Sequence, residues 1–548
     1  MLILSNIVDI FNKRVFAGAV TVEGGKIKKI EPAQNNIVTM PGYIMPGFVD
    51  AHVHIESSML VPSEFARIAV LQGTVATVSD PHEIGNVLGI EGVRYMINNG
   101  KKVPFKFYFG APSCVPATSF ETAGAEITPN DIRELFQTDG LKYLSEMMNY
   151  PGVLFNDPAV MEKIRIAHEL GRPVDGHSPG LRGNDAKKYI SAGISTDHEC
   201  YTLDEALEKI RYGMKILIRE GSAAKNFEAL HPLISKYPDM VMLCSDDKHP
   251  NDLVVGHINK VAARAVAKGH DVFDVLRAAC VNPVLHYGLD VGLLREGDPA
   301  DFIIVDNLTD FNVRLTCING IHVADGSKSL IPRVDSDIVN NFSTNKITPD
   351  DIAVYVENDS NQYMRVIEAL DGQLITNELH EPIKTFDAKL ISNTDNDVLK
   401  MIVMLRYKPG IKLAVAFIRN FGLKNGAIAS CVAHDSHNII AVGVSDEDIC
   451  AAVNGIVDSK GGISVSFDGK TEVLPLPIAG IMTNEDGWIA AEKYTKIDML
   501  AKELGTKLNA PFMTLSFMAL LVIPQLKLSD KGLFDGKTFK FTELFLKQ

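Results

Sequence analysis

Two histidines close a short apolar run near the N-terminus, in the segment Asp50-Ala51-His52-Val53-His54. On a β-strand, residues two apart point to the same side. The imidazoles of His52 and His54 can therefore face a single metal ion. Such a pair is common by chance, but the apolar run at 46–50 indicates a strand that ends at these histidines, and this favours a metal site.

Further residues of metal-ligating type end later strand-like runs. Imidazole and carboxylate suit Zn(II), Mn(II) and Fe(II), and no cysteine stands among them. A carboxylate can bridge two metals about 3.5–4 Å apart, and Glu146 is the candidate bridge. Such metals supply hydroxide from bound water at neutral pH, and Asp246 would carry its proton to the leaving group as general acid/base. The predicted ligands of two divalent ions are His52, His54, Glu146, His177, His198 and Asp246.

Eight β-rich runs alternate with helical stretches between residues 45 and 288. This rhythm is typical of a (β/α)₈ barrel of the TIM type, and the fold class is therefore α/β. Active sites of such barrels lie at the C-terminal ends of the strands, where all six predicted ligands stand. The predicted strands are 47–54, 74–79, 105–110, 143–147, 173–177, 194–198, 215–218 and 240–245.

The segments beside the barrel have a different residue pattern. Short alternating runs at 2–4, 20–22 and 26–30 predict antiparallel strands, and a similar pattern occurs again after the barrel. Segments 1–44 and 289–340 are predicted to form one small composite β-sandwich. Residues 341–548 predict a separate C-terminal α+β domain with strands at 411–417, 438–444 and 462–467 and a helix at 446–460.

Composition and charge limit the partners and the cellular compartment that are expected for the protein. The net charge of -14 argues against nucleic acid or an anionic membrane as partner. The uncharged run 508–526 contains two prolines and predicts a buried helix or pair of strands rather than a membrane span. The seven cysteines are scattered without a C-x-x-C pair, and Asp9 comes too early for a signal peptide. A cytoplasmic protein is expected.

The order H-x-H, strand-four carboxylate, His, His and Asp resembles the amidohydrolase superfamily. Longer segments, at 52–58, 80–84, 112–116, 146–149, 175–180 and 433–438, resemble the bacterial type of adenine deaminase, and the resemblance extends over essentially the whole chain. It implies hydrolysis of adenine to hypoxanthine and ammonia in purine salvage, by a metal-bridging hydroxide that attacks C6. It also implies a dinuclear Mn(II) or Fe(II) site, with Zn(II) as the alternative, and a homodimer or larger homo-oligomer.

Attack at C6 of adenine places negative charge on N1, so a proton donor must face that atom. Adenosine and cytosine deaminases of the superfamily carry H-x-x-E after strand five, with the glutamate as donor. Here Gly180 follows His177 by three positions. The donor must come from elsewhere, and Glu56, Glu83 and Glu199 are the unranked candidates.

Asp80, His82 and Glu83 cluster after the second predicted strand. Their types suit a further metal ion, support of the first site through hydrogen bonds, or the lining of the substrate pocket. A capped turn that opens a helix is the alternative.

Five more residues have two interpretations each. Ser113 either touches the purine or holds a buried loop. His434, Asp435 and His437 either reach over the barrel mouth or hold a turn of the C-terminal domain. Arg219 at the end of strand seven contacts substrate or, as the favoured interpretation, joins a salt-bridged rim.

Two other functions compete with adenine deamination. One is hydrolysis of a cyclic amide or related heterocycle by the same superfamily, whose hydantoinase-like members bridge the metals with a carboxylated lysine. Glu146 stands where that lysine would be, which weakens this hypothesis. The other is a non-catalytic scaffold on the same fold, against which the six filled ligand positions weigh.

Overall fold

Eight parallel strands close into a barrel in the computed structural model, which describes residues 1–33, 40–356 and 363–546. Strand eight continues into Asp246–Asp247, which pairs in parallel with Val53 and His54 of strand one and so completes the ring. Each predicted strand overlaps an observed one, and the predicted fold class is confirmed. The observed strands are Phe48–His54, Thr74–Ser79, Lys106–Phe109, Leu144–Met147, Val174–Gly176, Thr196–Asp197, Lys215–Arg219 and Val241–Cys244.

Strands five and six are shorter than predicted. The runs 173–177 and 194–198 contain strands of three and two residues, so His177 and His198 lie just beyond them. The flanking residues His177, Ile194 and His198 are also buried, and burial alone does not require ladder pairing.

Helices pack around the barrel, and capping residues and prolines in the sequence mark where they begin. Before the helix Pro129–Thr138, the Thr128 side chain accepts from the backbone of Asp131, whose carboxylate accepts in return, and proline takes the first position. The helices of this region are Pro62–Ala69, His82–Leu88, Ile90–Gly100, Pro129–Thr138, Tyr150–Leu154, Pro158–Glu169, Gly183–Ser191, Leu203–Arg211, Phe227–Leu230, Pro232–Lys236, Pro250–Val255, Ile258–Ala267, Val272–Leu276 and Asn282–Tyr287.

Strand one, which ends in His52 and His54, is buried along its whole length, as expected for a parallel strand covered on both faces. Its one carboxylate, Asp50, accepts hydrogen bonds from the Ser245 backbone N–H at 3.0 Å and contacts His257 Nε2 at 2.7 Å. These contacts join strand one to the end of strand eight. They fix the position of the two histidines relative to Asp246.

A second sheet combines strands from both sides of the barrel. Tyr43–Pro46 pairs with Leu2–Asp9 on one side and with Phe302–Val305 on the other. The N-terminal strands Leu2–Asp9 and Arg14–Glu23 extend beyond the predicted runs 2–4 and 20–22. The proposed domain limits stay a prediction. The sheet contains Leu2–Asp9, Arg14–Glu23, Lys26–Pro32, Tyr43–Pro46, Phe302–Val305, Val313–Ile318, Ile321–Asp325 and Lys328–Ser329.

The C-terminal region has its own sheet, in the spatial order Thr376–Pro382, Tyr363–Ala369, Leu413–Arg419, Leu399–Met404, Ile439–Gly443, Ala427–Ser430, Gly462–Phe467 and Lys470–Pro475. Its helices are Asp446–Ser459, Gly487–Glu503 and Pro511–Ser516. Shorter strands complete it: Thr385–Phe386, Lys389–Leu390, Leu526–Ser529, Gly532–Asp535 and Lys540–Phe541.

The uncharged run 508–526 is buried in this region. It contains the helix Pro511–Ser516 and the 3₁₀ turn Phe517–Ala519, and it leads into the strand Leu526–Ser529. No helix in the described part of the chain has the length and apolar character to cross a membrane.

A buried lysine supports the loops after strands five and six. Lys209 Nζ donates to the Ser178 carbonyl at 2.6 Å and to Glu205 at 2.8 Å, and it forms an ion pair with Asp197. Ser178 and Asp197 flank the histidines that end these strands. Lys209 therefore neutralises buried charge and positions the loops that carry His177 and His198.

We predict that Lys209→Met lowers the free energy of unfolding by about 3–5 kcal/mol, because it leaves the Asp197 and Glu205 carboxylates buried without a cation. Urea unfolding monitored by circular dichroism would measure this loss from the first unfolding transition. Lys187→Met, at an exposed site on a neighbouring helix, is the control. A loss below about 1 kcal/mol, the range of an exposed pair, would contradict the prediction.

Candidate metal centre

The carboxylate of Glu146 lies among four imidazoles at the C-terminal end of the barrel. Its Oε2 is 2.8 Å from His177 Nδ1 and 3.1 Å from His198 Nε2. Its Oε1 is 3.4 Å from His54 Nε2 and 3.6 Å from His82 Nδ1. Each oxygen thus faces a different pair of histidines, which is the arrangement that a bridging carboxylate requires.

His52, His54 and Asp246 form an adjoining group. The Nε2 atoms of the two histidines are 3.1 Å apart, and Asp246 Oδ1 is 3.6 Å from the first and 3.3 Å from the second. His54 Nδ1 is 3.2 Å from the Asp80 carbonyl oxygen. If Nδ1 carries the proton and donates to that oxygen, Nε2 presents its lone pair to the centre.

The donor set fits divalent cations. Buried nitrogen and oxygen atoms normally have hydrogen-bond partners. In the described structure His177 Nε2, His198 Nε2, Asp80 Oδ2 and both ring nitrogens of His82 have none. Several overlapping groups place their ligating atoms within 4.8 Å of one another: His54 with Asp80, His82 and Glu146; His52 with His54 and Asp246; His52 with Glu146 and His198; and His177 with His198 and Glu199.

Surrounding groups favour the ionised state of the two acidic candidate ligands. Burial by itself raises the pKa of the Glu146 carboxyl, but the charges of His177 and His198 lower it well below its usual value. Burial likewise opposes ionisation of Asp246, and the guanidinium of Arg219 is the main group that lowers its pKa well below the usual range. Both carboxylates therefore present anionic oxygens to the centre.

Arg219 was expected at a salt-bridged rim; it does form ion pairs, but it is buried beside the centre rather than at a rim. Its guanidinium is buried, forms two hydrogen bonds to Glu199 and also binds Asp246 Oδ2. The available signal was its position at the end of strand seven. Buried and exposed ion pairs have the same residue types, so sequence alone did not separate them.

The C-terminal domain reaches the barrel mouth. His82 Nδ1 is 3.3 Å from Asp80 Oδ2, and its Nε2 is 3.4 Å from Asp435 Oδ1. His434 lies 3.6 Å from Asp435 and 3.7 Å from Asp247. Asp247, the neighbour of Asp246, was missed because its carboxylate serves this contact between domains rather than the predicted ligand set.

The three candidate proton donors lie in different surroundings. Glu199 lines the cavity at the metal centre, and of the described residues neither Glu56 nor Glu83 does. Glu56 accepts from the Ile84 backbone N–H at 3.3 Å, and burial together with the charge of Glu83 raises its pKa to about 8.

Ser113 holds a loop in place. Its hydroxyl donates to the backbone carbonyl of Glu146, and its own carbonyl accepts from Lys163 Nζ at 2.7 Å. Among the described residues that line the cavity, Ser113 is absent. The contacts therefore favour the loop-holding interpretation over contact with the purine.

The cavity at this centre is small, about 20 Å³. A space of this size holds about one water molecule. Leu374, Phe517 and Leu520 cover it from the C-terminal domain, and the Phe517 ring stacks on His434 with centroids 4.9 Å apart. We call these three apolar residues the roof.

Comparison with known proteins finds a family match for the barrel region and another for the C-terminal region. The amidohydrolase family model matches residues 43–323, and the model of the adenine deaminase C-terminal domain matches residues 373–540. The chain is 54% identical over 546 residues to an adenine deaminase of Salinibacter ruber, with 99% of both chains covered. It is 56% identical over 540 residues to that of a Sulfurovum species and 52% identical over 549 residues to that of Methanosarcina mazei, with 98% of both chains covered each time.

The chain belongs to the adenine deaminase family. In this family member the ligand-bearing barrel lies within the amidohydrolase match, whereas the roof and His434 lie within the adenine deaminase C-terminal match. Amidohydrolases depend on metal ions, and the clustered histidines and carboxylates are groups that could hold such ions. The cover of the cavity comes from the segment that matches the adenine deaminase C-terminal domain.

We predict that Glu146→Gln lowers the content of bound metal by more than half, because a neutral amide no longer balances the four surrounding imidazoles and their ions. Metal analysis after purification from Mn-supplemented medium and desalting would measure it. Glu169→Gln, on the exposed side of a barrel helix, is the matched control. Unchanged metal content in Glu146→Gln would exclude Glu146 as a ligand.

Proposed function

We propose that this protein hydrolyses adenine to hypoxanthine and ammonia, in purine salvage. The observation that carries the proposal is a candidate metal centre in the barrel whose cavity is lined on one side by the adenine deaminase C-terminal domain. Identity above 50% to adenine deaminases over nearly the whole chain supports the substrate.

We further propose that the centre holds two divalent ions, Mn(II) or Fe(II), with Zn(II) as the alternative. His52, His54 and Asp246 would serve one ion, His177 and His198 the other, and Glu146 would lie between them. When bound, such a pair lowers the pKa of water enough to provide hydroxide near neutral pH.

The carboxylates can move the two protons of the attacking water. Its oxygen forms a bond to C6, one proton goes to N1, and the other goes to the amino group, which leaves as ammonia when the C6–N bond breaks. Glu199 is the one of the three candidate carboxylates that lines the cavity, so we assign it the transfer to N1. Asp246 carries the second proton to the amino group.

Arg219 positions both of these groups. It binds Asp246 through Oδ2, and this leaves Oδ1 facing His52 and His54. Its two hydrogen bonds to Glu199 fix the plane of that carboxylate beside His177 and His198. Because proton transfer depends on distance and orientation, this clamp prepares both carboxylates before substrate arrives.

The cellular setting is also proposed. The seven cysteines are all free and buried, which suits the cytoplasm as a reducing compartment. A homodimer or larger homo-oligomer, and the lack of nucleic-acid or membrane partners, stay predictions.

We predict that the protein purified with Mn(II) releases ammonia from adenine. Adenosine, guanine and cytosine should give rates lower by at least about 10²-fold. A wrong substrate leaves buried polar groups of the site unpaired, and this lowers its rate by such a factor. An ammonia assay across the four compounds, with dihydropyrimidine hydrolysis in parallel, would measure it. Faster turnover of the dihydropyrimidine than of adenine would favour the cyclic-amide alternative, and a lack of tightly bound metal would favour a scaffold.

We predict that Asp246→Asn retains metal but loses about 10²–10⁴-fold in kcat, because the amide cannot accept the proton. Steady-state rates together with metal analysis on the same sample would separate the two effects. Asp185→Asn, on an exposed helix start, is the control. Near-normal turnover by Asp246→Asn would make the general acid/base assignment wrong.

A further inference from the structure

Three more ligating side chains converge where the barrel meets the C-terminal domain. Glu83 follows barrel strand two, and His434 and His437 belong to the C-terminal domain. One ligating atom of each lies within 4.8 Å of the other two, and His437 Nε2 is 3.6 Å from Glu83 Oε2. We call these three residues the interdomain cluster. It shares none of the six residues assigned to the pair of metals.

Each of the three side chains has one polar atom without a hydrogen-bond partner among the described residues. In the described structure Glu83 Oε2, His434 Nε2 and His437 Nε2 all lack a hydrogen-bond partner. Their side chains are buried, with residue exposures of 0%, 3% and 0%. Buried polar atoms without partners are destabilising, and a shared cation would satisfy three of them in one such cluster.

The charges around the cluster also call for a cation. Glu56, Glu83, Asp247 and Asp435 are buried together, and none of them pairs with a lysine or arginine in the described structure. The Ser57 hydroxyl lies 2.8 Å from Glu83 Oε1 and 2.6 Å from Asp247 Oδ1. One hydroxyl has one hydrogen and cannot donate to both carboxylates, so one of these two contacts requires a further proton or a cation.

We propose that the interdomain cluster binds a further divalent transition-metal ion. Ligands about 2.0–2.2 Å from a metal in tetrahedral arrangement lie about 3.3–3.6 Å apart, which agrees with the spacing of His437 and Glu83. Two imidazoles and one carboxylate select Mn(II), Fe(II) or Zn(II). Binding through His437 Nε2 places the ring proton on Nδ1, so the 3.3 Å contact from the Ala433 N–H is given up.

This ion would act between domains rather than in the reaction. Glu83 comes from the barrel and the two histidines from the domain that supplies the roof. A metal that joins them fixes His434, whose ring stacks on Phe517 of the roof. The cation would therefore hold the cover on the active site, and the proposal does not depend on which base is deaminated.

Metal analysis of the full-length protein tests the proposal. After loading with Mn(II) and desalting, the wild type should retain about three ions per chain, two of them at the paired centre. His437→Gln should lose about one ion and keep the pair. Glu146→Gln should keep the interdomain ion while the pair is lost, and adding Glu83→Gln should remove the remaining ion.

His249→Gln is the matched control. His249 is buried at the same interface against Tyr494, and its Nε2 also lacks a partner, but no described carboxylate lies within 4 Å of it. Its metal content should equal that of the wild type. Equal metal content in His437→Gln and the wild type would overturn the proposal.

A second measurement does not depend on any variant. Crystals of the Mn-loaded wild type should show an anomalous scattering peak between Glu83, His434 and His437. A peak pair at Glu146 without a peak at the cluster would overturn the interdomain site and leave the proposed deaminase function intact. A peak at the cluster in a protein that does not turn over adenine would support the interdomain site and contradict the proposed deaminase function.

Discussion

One buried carboxylate, Glu146, determines how the rest of the site must be built. An anion at the centre of a barrel mouth is stable only when surrounding groups replace the water that it loses. Four imidazoles do so here, and they come from the ends of strands one, five and six and from the turn after strand two. The barrel must close for these ends to meet, and the Asp50 contacts between strands one and eight secure that closure.

The sequence predicted the ligand-bearing strand ends because parallel barrel strands present their C-terminal ends to one face. The H-x-H pair and the single residues at 146, 177, 198 and 246 needed only strand order and residue type to be recognised. Strand limits were less accurate at 194–198, where only residues 196 and 197 belong to a strand although Ile194 and His198 are buried as well. Hydrogen-bonded pairing, which sequence does not display, set these limits.

Two features of the site were only partly anticipated, for different reasons. Arg219 was recognised at the end of strand seven, but its burial depends on where its guanidinium points after the strand is placed. The reach of His434 and Asp435 depends on how two domains dock, and those residues stand more than 180 positions after the last barrel strand. Local patterns carry no information on such docking. The resemblance of segment 433–438 to adenine deaminases was the only hint of it.

The roofed cavity has a consequence for how a substrate reaches the centre. A purine is far larger than the space of about 20 Å³ beneath the roof, so it fits at the centre only if side chains that line this space move aside. Turnover then depends on that movement as well as on the bond rearrangement.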